Sequence, residues 1–209
     1  MQYAMFLVMR EIRGKDASEI TELLLKRLAA ETETFASNDR FVLNWGNGPQ
    51  IHWLLARMTD YVETSSGMPS RYTEYVQRKG AKGYEIEHIW AAHPEHHTDE
   101  FNHPNDFYEY RDRIGGLLLL PRSFNASYSD LPYTEKREHY LKQNLLAQSL
   151  HELAYERSPG FLRFVKETGL PFKAHPEFRK ADLDARQELY RKLAEEIWNP
   201  ERLTRELMS

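Results

Sequence analysis

Two short segments, some thirty residues apart, constrain this chain more than any other feature. Leu117 to Leu120 is an unbroken leucine run stopped by Pro121, a length and an ending that suit a strand. Tyr84 to Ile89 reads as another strand, entered through the turn-forming stretch Lys79–Gly83. Between them lie a polar, His- and Pro-bearing segment, Ala91 to Asp106, and a short helix, Phe107 to Arg113, that leads into Gly115 and Gly116. After Pro121, Ser123 or Asn125 can open a further short helix. The expected fold is α+β and predominantly helical.

The helices announce themselves by their apolar spacing. Asp16 or Ser18 can cap one that carries Ile20, Leu23, Leu24, Leu28 and Phe35. Phe41 to Leu43 is a short apolar run, and Gly46 to Pro49 then breaks the chain. A second helix follows with Ile51, Leu54, Leu55, Met58 and Val62 on one face, ended by Ser65–Gly67 and Pro69. Towards the C-terminus, Leu145, Leu146, Leu150 and Leu153 form one stripe and Phe161, Phe164 and Val165 another. Ala185, Leu189, Leu193 and Ile197 step by four along a last long helix. These patterns divide the chain into a helical part, residues 1–70, and a part with both strands and their buttressing helices, residues 71–209. Tyr3 to Met9 reads as the middle of a helix, which suggests the C-terminal portion of something longer.

Composition narrows the class of function. With no cysteine, disulfides and thiolate zinc sites are excluded. A formal net charge of -4 argues against a strong stand-alone DNA binder, because phosphate contacts usually come from a basic surface. No apolar run approaches a membrane span and no secretory signal pattern is present, so a cytoplasmic location without membrane partners is expected.

The candidate chemistry sits on the two strands. Glu87 and His88 close the first, and Asn125 lies just past the second. Strand, loop, strand, helix is in outline the ββα-metal arrangement of HNH enzymes. In a one-metal phosphodiesterase, a neutral imidazole such as His88 can act as base. A carboxylate and an amide oxygen, here Glu87 and Asn125, are hard ligands suited to Mg²⁺ or Mn²⁺. In a strict strand the side chains of Glu87 and His88 would point to opposite faces, so the strand is expected to end there. The flanking Arg113 and Arg122 could line a DNA path. A rival metal site is conceivable in the loop holding His93, His96, His97 and His103, but a surface loop accounts for it better.

The block Glu87-His88-Ile89, then Ile114 to Leu117 with Leu119 and Leu120, then Asn125, Ser127 and Lys136, resembles the C-terminal HNH-like nuclease domain of GmrSD-type restriction proteins. Antiphage nickases of the SspE type have a similar domain. The likeness continues from Leu183 and Arg186 to Ile197 and Trp198. It implies a metal-dependent DNA endonuclease or nickase of an antiphage system, with Lys136 contacting phosphate. It further implies a nucleotide-hydrolysing sensor domain, N-terminal in the full-length protein or on a separate chain, since no Gly-rich phosphate loop ending in Lys-Ser or Lys-Thr occurs. One departure stands out. The family's Gly-Asn-Leu is here Gly115-Gly116-Leu117. The missing asparagine is expected to brace the histidine loop, with Asn102 or Asn105 as substitutes. The alternative is a degenerate, non-catalytic nuclease fold that serves as an interaction module.

Overall fold

A computed structural model of the chain describes residues 2–31, 35 and 42–205. Phe41, the first residue of the expected apolar run, lies outside them. Contacts group the chain into two units, residues 1–39 with 195–209, and residues 40–194. In the smaller unit, α1 (Gln2–Ile12) packs on α2 (Ala17–Ala30). Asp16 caps α2 in a reciprocal box, accepting from the Glu19 amide at 2.9 Å while Glu19 accepts from the Asp16 amide at 3.0 Å.

The larger unit begins with α3 (Gly48–Ser65) and α4 (Tyr72–Tyr75). The expected apolar face of α3 is buried at Ile51, Leu55, Met58 and Val62. Two carboxylates are buried beside it, and each has partners. Glu63 accepts from the Tyr75 hydroxyl at 2.6 Å and the Leu145 amide at 3.3 Å. Asp60 accepts from the Ser70 hydroxyl at 2.8 Å and the Arg71 amide at 2.7 Å. These ties hold α3 in the same unit as both strands, so the boundary expected at residue 70 falls inside that unit.

The strands β1 (Tyr84–His88) and β2 (Leu117–Pro121) pair antiparallel, with Tyr84 opposite Pro121 and His88 opposite Leu117. Between them runs α5 (Pro104–Arg111), and α6 (Arg122–Tyr128) packs on both strands. A two-stranded sheet has two open edges, whose backbone groups need partners where they are buried. On β1, alternate carbonyls accept from side chains. Tyr84 O lies 3.0 Å from His52 Nε2, Ile86 O accepts from Asn125 Nδ2 at 3.2 Å, and His88 O accepts from Lys136 Nζ at 2.9 Å. On β2, Leu119 O accepts from Asn144 Nδ2 at 2.8 Å and Leu117 O from the Tyr190 hydroxyl at 2.9 Å. Helical side chains thus stand in for the missing neighbour strands.

Those side chains come from α3, α6, α7 (Tyr133–Tyr140) and α11 (Lys180–Ile197), and from Asn144, the N-cap of α8 (Leu145–Gln148). The short α9 (Ala154–Arg157) and α10 (Pro159–Thr168) complete the larger unit, and α12 (Glu201–Arg205) packs on α2 in the smaller one. The core joins Leu118 and Leu120 to Ile89, Trp90, Phe107 and Tyr140. The fold is α+β and mostly helical, and no helix among the described residues is long and apolar enough to cross a membrane.

α11 meets the turn before β2 at a glycine. A Cβ on Gly115 would lie 2.5 Å from the Gln187 amide nitrogen and 2.7 Å from Leu183 O. Gly115→Ala is therefore expected to cost roughly 1–3 kcal/mol through overpacking. The check is a lower urea midpoint at unchanged m-value.

Candidate active site

His88 ends β1 while still paired with Leu117, so the alternation of the strand persists to its last residue. Its Nε2 lies 2.8 Å from Oδ1 of Asp112, the residue that closes α5. Its Nδ1 has no partner among the described residues and is not sealed from solvent. Burial lowers the His88 pKa below the ordinary imidazole value, Asp112 opposes that shift, and Arg111 adds to it. A half-buried imidazole with one nitrogen held by a carboxylate and the other free is suited to accept a proton.

Glu87 is only 2% exposed and lies 2.7 Å from Nζ of Lys136, which is fully buried in α7. The same ammonium donates to His88 O at 2.9 Å. Burial raises the carboxyl pKa and lowers that of the ammonium, while their contact works against both shifts. Lys136 therefore ties the end of β1 to α7 from inside the core, away from any surface where a duplex would lie.

Asn125, in the first turns of α6, donates through Nδ2 to Ile86 O. Its Oδ1 is buried and has no partner among the described residues. Unpaired buried acceptors are rare, and a bound cation or water is a common reason for one. Thus Asn125 of α6 is tied to β1 at Ile86, two residues before His88, while the Glu87 carboxylate goes to Lys136.

A family model for the C-terminal domain of GmrSD restriction endonucleases matches residues 29–193. The chain belongs to this family. The match takes in both strands and every candidate residue named so far. No curated protein and no solved structure matches the chain.

In this GmrSD C-terminal domain the loop after His88 is braced from the end of α5. Arg111 Nε donates to Trp90 O at 2.9 Å, and the next residue, Asp112, holds His88. The brace expected from Asn102 or Asn105 thus comes from residues 111 and 112. Gly116 is tightly enclosed: a Cβ there would meet Arg111 O at 3.0 Å and Leu183 Cδ1 at 3.1 Å, so a side chain fits only if these neighbours shift by a few tenths of an ångström. Asp112 carries no signal of its own in the sequence. Its place at the end of the helix that precedes β2 is the only clue.

The two flanking arginines are engaged within the fold. Arg113 stacks on Tyr110, 3.6 Å from the ring centroid, and pairs with Asp184 at 3.6 Å. Arg122 pairs with Glu85 at 2.9 Å. In the histidine-rich loop, His93 bonds Glu95 and Asp130, His97 bonds Glu100, and His103 caps α5. Among the described residues, no three His, Cys, Asp or Glu side chains converge to hold a metal.

Proposed function

We propose that this chain is the nuclease domain of an antiphage restriction endonuclease, an HNH-type enzyme that nicks DNA with Mg²⁺ or Mn²⁺. Membership of the restriction endonuclease family supports nuclease activity. The observation that carries the HNH reading is the pairing of His88 with Asp112, together with the orphaned oxygen of Asn125, whose amide caps Ile86 two residues before the histidine. The order β1, β2, α6 agrees with a ββα core.

His88 is the general base. Asp112 orients its ring and stabilises the imidazolium that forms when Nδ1 takes a proton from water. Asn125 Oδ1 fits a hard divalent cation, because it is a buried amide oxygen without another partner. Glu87 can share that role only through the part of its carboxylate not held by Lys136. When bound, the metal would stabilise negative charge on the phosphate and the leaving oxygen. Lys136 is a positioning residue that fixes the strand end carrying His88.

Supercoiled plasmid incubated with the chain and Mn²⁺ or Mg²⁺ is expected to become open circles. Plasmid left intact by concentrated enzyme with either metal would remove this reading in favour of a non-catalytic module. Asp112→Asn should lower kcat on the order of 100-fold while leaving KM nearly unchanged. Steady-state nicking rates measure that split.

A further inference from the structure

The cations expected to meet DNA are spent on internal carboxylates, yet a nuclease must still hold its substrate's phosphates. Unpaired cations lie at the other end of β1. Arg78, Lys79 and Lys82 are exposed on the turn that enters the strand, and none forms an ion pair or side-chain hydrogen bond among the described residues. The turn closes on itself through the Gly83 amide and Gly80 O at 3.1 Å, which holds these residues next to the strand.

Arg78 and Lys79 form one wall of a cavity of about 460 Å³. Tyr84, Glu85 and Ile86 of β1 and His52 of α3 complete its lining. Ile86 is also the residue whose carbonyl the candidate metal ligand Asn125 caps. The one carboxylate in its lining, Glu85, is already neutralised by Arg122. His52 is 2% exposed, and its Nδ1 has no partner among the described residues.

We infer that this cavity binds the sugar–phosphate backbone of the DNA strand next to the scissile bond, with Arg78 and Lys79 contacting phosphates. The reading rests on the proposed nuclease function and adds where the strand lies. Spacing agrees with it. From His88 back to Tyr84 is roughly 13 Å along an antiparallel strand, and DNA advances 3.4 Å per nucleotide of one strand. The cavity thus serves phosphates within about four nucleotides of the cleaved one. Contacts here carry no base information, which suits a domain that leaves recognition to another part of a restriction system.

The test is the binding of a short fluorescent duplex to the full chain, followed by anisotropy without divalent metal over a range of salt. Wild-type protein is expected to show salt-dependent binding. Combined Arg78→Ala and Lys79→Ala should weaken it about tenfold at low salt, and the slope of log K against log salt should fall by about 2, one unit per lost phosphate contact. Both residues are exposed and unpaired, so an unchanged thermal unfolding transition shows that the fold is kept. Affinity and slope equal to wild type would overturn the inference, as would wild-type protein that shows no salt-dependent binding. Loss of nicking by His88→Ala bears only on the mechanism: a His88→Ala protein that still cuts would sink the base assignment and leave the cavity standing.

Discussion

Lys136→Met protein is expected to unfold at a much lower urea concentration than wild type, with a loss of about 3–5 kcal/mol. The ammonium is fully buried, 2.7 Å from Glu87 and 2.9 Å from His88 O. Methionine fills similar volume but leaves a carboxylate and a carbonyl without their donor. Against a typical domain stability of about 5–15 kcal/mol, that loss is large. The contrast with a surface role is sharp, since removing an exposed phosphate-contacting lysine changes stability by only about 0.5 kcal/mol or less. Adding Glu87→Gln to the variant should recover part of the loss, because the stranded charge is then gone. The pH dependence has a definite sign. With its partner removed, Glu87 keeps a folded-state pKa raised by burial, so the protonated form tolerates the core. The deficit should shrink at acid pH and grow as pH rises through that folded pKa.

His88→Ala protein is expected to keep its fold and lose about 10²- to 10⁴-fold in nicking rate. The imidazole makes one side-chain hydrogen bond, to Asp112, and is partly open to solvent, so truncation leaves no large cavity. Lys136 bonds the backbone of residue 88 and not its side chain, and that tie survives the substitution. DNA affinity should also survive, because the cations beside β1 are untouched. The signature is a fall in kcat at unchanged unfolding midpoint, the reverse of the pattern for Lys136→Met.

Much of this was legible before any coordinates. Four leucines and a proline mark β2, and a turn followed by Tyr84 marks β1; both lie where their residues imply. Strand periodicity also exposed the weak point of the motif, the opposite directions of Glu87 and His88. The expected remedy was a strand that stops in time to bring both side chains into one cleft. β1 does end at His88, but both residues stay paired with β2 to that point, and Lys136 takes the carboxylate. That partner sits 49 residues away in the chain, beyond the reach of local periodicity. Asp112 was hidden for the same reason, 24 residues from the histidine it holds. Arg113 and Arg122 flank the motif in sequence, but nearness in sequence does not leave a charge unpaired. Arg78 and Lys79 come closer to that condition, and only the fold brings them into one cavity with Ile86, whose carbonyl Asn125 caps. The boundary expected at residue 70 lies inside the larger unit: α3 reads as one more amphipathic helix, while its buried Asp60 and Glu63 tie it to elements on either side of the strands.

Plasmid relaxation by wild-type and His88→Ala protein, run side by side with Mn²⁺ and matched for folded content, tests the proposed chemistry most directly. Open circles should form with wild-type protein, and supercoiled plasmid should persist with the variant. Equal relaxation by both proteins would contradict the assignment of His88 as the base.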